Sequence, residues 1–175
     1  MRRIVYRVAS SLDGYICGPR GEIDWIVHDP TISLTSLYAS VDTVLLGRRT
    51  YELTQQPGAP AWPPKWRIFV FSRTLHAAQH RGVTVVGTNF GDVIAALRAE
   101  RGGDIWLFGG ASLFASLLSL HAVDRLDLSV MPLLLGGGTP LSGPLRAHAR
   151  LQLTQSEAYP SGIVRLQYDI LGAPG

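Results

Sequence analysis

Short apolar segments alternate with amphipathic segments along most of this chain. Eight segments have the apolar or alternating pattern of β-strands: residues 3–9, 43–46, 66–71, 83–86, 105–108, 125–131, 151–158 and 163–170. Four segments have helical periodicity, with Asn89 expected to cap the third: residues 32–40, 49–55, 90–101 and 111–120. This alternation predicts an α/β fold with a mainly parallel sheet that helices cover on both faces.

The last third of the chain has a different pattern, because its strands follow one another without long helices. The turn sequence Tyr159-Pro160-Ser161-Gly162 predicts that residues 151–158 and 163–170 form an antiparallel hairpin. A long glycine-rich connection precedes them at residues 132–144, and residues 171–175 are expected to fray. The sequence thus predicts one domain, residues 1–175, with a mixed sheet and an antiparallel C-terminal edge.

Two junctions at strand ends have the composition of phosphate-binding sites. Gly109-Gly110 lies between a predicted strand and a helix, where an anion can approach the backbone and the helix N-terminus offers N–H donors. Ser72 and Arg73 follow another strand and can hold a phosphate through charge-assisted hydrogen bonds. The alternatives are a tight turn at the glycines and an ordinary exposed loop at Ser72 and Arg73.

A third junction has Gly47 at the strand end and Arg48, Arg49 and Thr50 at the start of a helix. Cations are unfavourable at that end of a helix unless an anion is bound there, although a solvated first turn is the alternative. In open α/β sheets, ligands gather at the carboxyl ends of the strands. A diphosphate and one further phosphate would occupy all three junctions, which is the phosphate content of NADP.

The segment after the first strand is a long excursion that contains glycines, acidic residues and aromatic residues. It is expected to form a lid over a flat ring, with Asp13 and Trp25 as candidates for substrate contact. The alternative is a plain surface loop.

Composition limits the classes of partner. The net charge of +3 is spread along the 175 residues, which argues against nucleic-acid binding and favours a small-molecule ligand. Cys17 is the single cysteine, so no intrachain disulfide is possible, and a cytoplasmic location is expected. No apolar run is long enough for a membrane span, and Cys17 with five scattered histidines offers no metal motif.

Five segments carry a family resemblance: residues 11–16 (SLDGYI), 47–52 (GRRTYE), 71–73 (FSR), 108–113 (FGGASL) and 135–141 (LGGGTPL). In this order and spacing the chain resembles the dihydrofolate reductase-like family, especially stand-alone relatives of the reductase domain of bacterial riboflavin biosynthesis. The resemblance implies a three-layer fold with a central sheet of about eight strands. It also implies NADPH as cofactor and assembly as a homodimer.

The resemblance further implies which residues contact NADPH. Ala9 and Ile16 would flank the nicotinamide, and Ser72 and Arg73 would bind the adenosine 2′-phosphate. The remaining phosphate contacts would come from Gly47, Arg48, Thr50, Gly109, Gly110, Ala111, Ser112 and Leu113.

Three residues are candidates for the proton donor. Dihydrofolate reductase has an acidic residue a few positions past a tryptophan, and Asp24 and Asp29 lie near Trp25. Ser129 is a further candidate, at the place of a substrate-facing hydroxyl in the family. The expected reaction is hydride transfer from NADPH to a small flat heterocyclic or carbonyl-type substrate. The alternative is a nucleotide-binding or regulatory module without catalysis.

Overall fold

The structure, a computed structural model, describes residues 1–59 and 61–171. Its strands are β1 (Ile4–Ser11), β2 (Tyr15–Cys17), β3 (Val41–Gly47), β4 (Arg67–Phe71), β5 (Thr84–Val86), β6 (Asp104–Gly109), β7 (Arg125–Met131), β8 (Thr139–Pro140), β9 (Arg150–Ala158) and β10 (Val164–Leu171). Its helices are α1 (Leu34–Ser40), α2 (Arg48–Thr54), α3 (Phe90–Ala99) and α4 (Ala111–Ser119), with a short 3-10 helix at Ala77–Gln79.

Eight strands form one mixed sheet in the order β5-β4-β3-β6-β1-β7-β10-β9. The strands from β5 to β7 in this order are parallel, whereas β10 runs antiparallel to both β7 and β9. The predicted mixed sheet and C-terminal hairpin are therefore confirmed. In the hairpin turn, the Gly162 N–H donates to the Tyr159 carbonyl at 2.9 Å.

Helices cover the two faces of this sheet, which gives the expected three layers. On one face α3 and α4 bury Ile94, Leu97 and Leu117 against apolar side chains of the sheet. On the other face α2 buries Tyr51 in a smaller core with Trp66, which precedes β4, and with residues of β3, β4 and β6. The strands at the centre are apolar on both faces because both faces are covered.

Local details differ from the expectations in two places. Asn89 precedes α3 with φ of 54° and makes no side-chain capping bond, so the predicted cap is wrong. Asparagine tolerates this left-handed conformation, in which its side chain does not reach the helix N–H groups here. The two short strands β2 and β8 were not expected, and they pair with each other. The predicted fraying concerns mainly residues 172–175, which lie outside the described residues.

A buried arginine joins the N-terminus to two distant segments. Arg2 is 6% exposed, and its guanidinium donates to Asp42, to Thr43 Oγ1 at 2.9 Å and to the Gly103 carbonyl at 2.8 Å. It also lies 3.4 Å from Glu100 Oε2. These bonds connect the start of β1 to β3 and to the turn before β6.

We expect Arg2→Met to lower the free energy of unfolding by about 1–3 kcal/mol, because it removes a charged donor from several acceptors. Asp42 and Glu100 are partly solvated, which keeps the loss below that of a fully buried pair. Urea denaturation measures the change. Arg3→Met is the matched control, because Arg3 is 54% exposed in its pair with Asp104 and its loss should cost less than about 1 kcal/mol. Equal losses for the two variants would contradict the role given to Arg2.

Candidate active site

A cavity of about 800 Å³ opens on the sheet face that carries the smaller core. Ala9 of β1, Ile16 of β2 and Trp106 and Phe108 of β6 form much of its wall. Tyr38 of α1 and the segment after α2 also line it. The wall is thus apolar and aromatic, as is typical of a pocket for a flat ligand.

The two junctions that contain glycine, at Gly47 and at Gly109-Gly110, meet at one end of this cavity. Leu46 pairs with Gly109 across β3 and β6, so that the N-termini of α2 and α4 lie side by side. A Cβ on Gly47 would lie 3.6 Å from the Gly110 nitrogen, and a Cβ on Gly110 would lie 3.1 Å from Thr50 Oγ1. The peptide bond between Gly109 and Gly110 is cis. Glycine thus keeps open a narrow backbone-lined cradle between two helix N-termini.

The N-terminus of α4 has no side-chain cap. Gly110 occupies the N-cap position, and the Phe114 N–H donates to its carbonyl at 3.0 Å. The N–H groups at the start of a helix have no partner within the helix, which here concerns Ala111, Ser112 and Leu113. Ala111 and Leu113 are buried, and Ser112 is exposed.

The third junction lies beside the first two because Gly47 pairs with Phe71 across β3 and β4. Ser72 is buried, and its Oγ accepts from the N–H groups of Thr74 at 3.2 Å and Leu75 at 3.0 Å, which closes a turn. Arg48 crosses from α2 to this turn and donates to Thr74 Oγ1 at 2.7 Å. Arg73 is exposed and has no hydrogen bond or ion pair within the described part of the chain.

Asp13 connects the segment after β1 to the glycine-rich connection rather than facing the cavity. Its carboxylate accepts from Ser11 Oγ at 2.6 Å, the Leu135 N–H at 3.0 Å and the Gly136 N–H at 2.7 Å. The Ser11 hydroxyl and the Leu135 N–H together lower the pKa of Asp13 to about 2. The strand β2, which contains Ile16, pairs with β8 in the same glycine-rich segment. The hydrogen bonds of Asp13 and this strand pair therefore act together to position Ile16 in the cavity.

We expect Asp13→Asn to lower the melting temperature at pH 7, because an amide cannot accept from both N–H groups as a carboxylate does. A carboxyl whose folded pKa is depressed stabilises the fold above its unfolded pKa of about 4. That contribution is lost as the pH falls through about 2, so the two melting curves should converge there. Thermal melts across pH measure this convergence. Asp24→Asn is the control, since Asp24 is exposed and accepts no hydrogen bond from a described residue. A difference in melting temperature between Asp13→Asn and wild type that stayed constant at every pH would contradict the role given to Asp13.

The structure separates the proposed proton donors. Ser129 of β7 lines the cavity and lies beside Ala9, its partner residue in the β1–β7 pairing. Asp24 and Trp25 do not line it, and the Trp25 Nε1 donates to the Glu22 carbonyl at 2.9 Å. Asp29 is 4% exposed and also lies outside the lining.

Asp29 has a local structural role. Its carboxylate accepts from the N–H of Thr31 at 2.8 Å, the Thr31 hydroxyl at 2.5 Å and the Ser161 N–H at 3.3 Å. Contacts with Ser161 and Thr31 hold the pKa of Asp29 well below its usual range. An acid held in its ionised form by such donors is a poor proton donor, so Asp29 is not retained in that role.

The polar floor of the cavity was missed by the sequence analysis. Arg7 of β1, Asp127 of β7 and Arg165 of β10 line the cavity next to Ser129. Arg7 is opposite Asp127 in the β1–β7 register, and Arg165 is opposite Ser129 in the β7–β10 register. A charged residue inside an otherwise apolar strand was the available signal, but only the strand order reveals that three such residues meet.

Comparison with known proteins supports a single family. The model of the RibD C-terminal domain family matches residues 2–165 of the chain. The uncharacterized protein YyaP of Bacillus subtilis (strain 168) is 33% identical over 178 residues, which cover 95% of this chain and 94% of that protein.

Two solved structures are similar to this fold. A Shewanella sp. PV-4 protein, provisionally described as a riboflavin biosynthesis protein, is 27% identical with a TM-score of 0.84, over 98% of this chain and 100% of that one. Dihydrofolate reductase from Enterococcus faecalis, complexed with NADP(H), is 19% identical with a TM-score of 0.68, over 96% of each chain.

The chain therefore belongs to the RibD C-terminal domain family, and its fold is that of dihydrofolate reductase. This membership makes it a protein of a reductase family. Within the described residues, no helix has the length and apolar character needed to cross a membrane.

Proposed function

We propose that this protein is an NADPH-dependent reductase that transfers a hydride to a small flat heterocyclic or carbonyl-type substrate. The observation that carries the proposal is the continuity of the glycine cradle with the apolar cavity. Thr50, Gly109 and Gly110 line the same cavity as Ala9 and Ile16. A dinucleotide whose pyrophosphate lay in the cradle would thus extend its nicotinamide into the cavity.

The residues at the cradle fit the phosphates of such a cofactor. The uncapped N-terminus of α4 supplies N–H donors and a positive dipole potential. The Thr50 hydroxyl has no hydrogen-bond partner among the described residues and faces the position of Gly110. Gly47 and Arg48 would add phosphate contacts, and the free guanidinium of Arg73, next to Ser72, would bind the 2′-phosphate.

NADPH, when bound, supplies the hydride. The chain's own part is to hold the two rings against each other and exclude water. Ala9 and Ile16 would flank the nicotinamide, and Trp106 and Phe108 provide an aromatic wall for a flat substrate. Ser129 is the remaining proton-relay candidate, because its hydroxyl lies on the cavity floor and would pass a proton from water.

The direct test is NADPH oxidation with a panel of small acceptors that includes aminouracil, dihydrofolate and simple carbonyl compounds. Turnover should appear with at least one heterocyclic or carbonyl acceptor, and Ser129→Ala should lower kcat by about tenfold or more. Binding of NADPH without turnover of any acceptor would favour the non-catalytic nucleotide-binding module, and turnover that Ser129→Ala leaves unchanged would exclude Ser129 as the proton relay. That alternative has some support, since neither Asp24 nor Asp29 lines the cavity.

We also propose a homodimeric, cytoplasmic protein with one domain. Within the described residues β9 pairs only with β10, which leaves a nine-residue edge with Leu151 44% and Leu153 50% exposed. A second copy of the chain would cover such an edge. Sedimentation equilibrium should give the mass of two chains, and the mass of one chain would contradict this.

A further inference from the structure

We propose that the substrate carries an oxyanion, such as a carboxylate, and that Arg7 and Arg165 on the cavity floor bind it. The inference rests on the proposed function insofar as this cavity holds the substrate. It adds a substrate class that the reductase assignment does not contain.

The two guanidinium groups converge on one carboxylate. Arg165 donates to Asp127 through Nε at 2.8 Å and Nη2 at 2.6 Å, which is a two-pronged contact. Arg7 Nε donates to the same carboxylate at 3.3 Å. Asp127 is only 6% exposed, so it acts as the buried anchor that fixes both cations.

The floor therefore has more positive than negative charge. Asp127 is the one carboxylate among the described residues that line the cavity, against two guanidinium groups. Arg7 also approaches Asp104 Oδ2 at 3.5 Å, but Arg3 donates to both oxygens of Asp104 at 3.2 Å and shares that charge. A ligand that brings its own negative charge would balance this excess.

One nitrogen atom of Arg7 also lacks an acceptor. Its Nη1 atom is buried and has no hydrogen-bond partner in the described structure. A buried donor without an acceptor destabilises a fold, so the protein leaves part of the hydrogen-bonding capacity of the Arg7 guanidinium unused. Burial lowers the pKa of the Arg7 guanidinium, while the charges of Asp127 and Asp104 raise it.

The two guanidinium groups disfavour a ligand edge that presents only N–H donors to them. Arginine has only donors, so such an edge would find no acceptor on Arg7 or Arg165. Asp127, whose oxygens are occupied by Arg7 and Arg165, is not free to accept from such an edge. A flat ring with a carboxylate or a comparable oxyanion fits both the aromatic wall and the floor.

Binding of uracil and uracil-6-carboxylate tests this class, because the two rings differ only in the carboxylate. Isothermal titration with and without NADP⁺ should give at least about tenfold tighter binding of the carboxylate in both series. The preference should fall as salt is raised, and inorganic phosphate should compete if any oxyanion suffices. Equal affinities, or no binding of either ring at millimolar concentration, would overturn the inference. If NADPH still bound in that case, the proposed cofactor site would stand.

Variants then locate the preference. Arg7→Met and Arg165→Met should each remove most of it, whereas Arg7→Lys should keep part of it. Arg125→Met is the matched control, because Arg125 pairs with Asp169 across the same two strands at 2.8 Å but does not line the cavity. If Arg125→Met lost as much of the preference as Arg165→Met, the preference would depend on ion pairs of the sheet in general and not on the cavity floor. The wild-type comparison of the two rings remains decisive if a floor variant fails to fold.

Discussion

Gly110→Ala is expected to weaken NADPH binding by at least about 3 kcal/mol, or roughly 150-fold. The added methyl group would lie 3.1 Å from Thr50 Oγ1, inside the cradle between the starts of α2 and α4. A phosphate displaced from there would lose at least one charge-assisted bond to the α4 N–H groups and one to Thr50. The backbone at Gly110 is extended, with φ of −97°, which is a φ that alanine also adopts.

Gly91→Ala is the matched control for this change. A Cβ on Gly91 would meet nothing within 4 Å, and Gly91 lies in α3, which packs on the face of the sheet opposite the cavity. Fluorescence titration should give wild-type affinity for this variant, and both variants should keep the wild-type far-UV spectrum. A Gly110→Ala protein that folds and binds NADPH as the wild type does would remove the cradle from the cofactor site.

Arg73→Ala is expected to weaken NADPH by about 1.5–3 kcal/mol while it leaves NADH nearly unchanged. The physical reason is that the two cofactors differ only in the 2′-phosphate. Arg73 is exposed at the carboxyl end of β4 and is not committed to any partner in the described structure, so its charge is available to that phosphate. The ratio of the two dissociation constants measures the effect.

Arg101→Ala controls for the loss of one positive charge. Arg101 is also exposed, but it precedes β6 and thus lies at the opposite end of the sheet from the cradle. Its variant should keep the wild-type preference for NADPH. Equal weakening of both cofactors by Arg73→Ala would exclude Arg73 from contact with the 2′-phosphate.

The sequence was sufficient to predict that the glycine junctions of the proposed cofactor site lie at one edge of the sheet, because the signals there are local. Gly47 and Gly109-Gly110 each mark the point where an apolar strand ends and a helix begins. Parallel neighbouring strands bring such points to the same edge of a sheet, so their proximity follows from the order of elements. The prediction that Ala9 and Ile16 lie at the nicotinamide position was based on the family resemblance and not on periodicity.

The proposed substrate-binding part of the cavity and the loops beside it depend on contacts between residues distant in sequence, which no local pattern reveals. Asp29 has the spacing of a catalytic acid, yet its partner Ser161 lies 132 residues away in the hairpin turn. Arg7, Asp127 and Arg165 come from three strands whose adjacency and register were unknown. Asp13 was expected at the substrate, but its partners are backbone N–H groups of the glycine-rich connection.

Titration of the wild-type protein with NADPH and NADH, followed by tryptophan fluorescence, tests the central claim most directly. Trp106 lines the cavity and contacts the cluster that contains Trp62 and Trp66, so a nicotinamide in the cavity should quench the emission. We expect saturable quenching, with NADPH bound at least about tenfold more tightly than NADH. The absence of saturable binding at millimolar NADPH would contradict the assignment of this protein as an NADPH-dependent reductase.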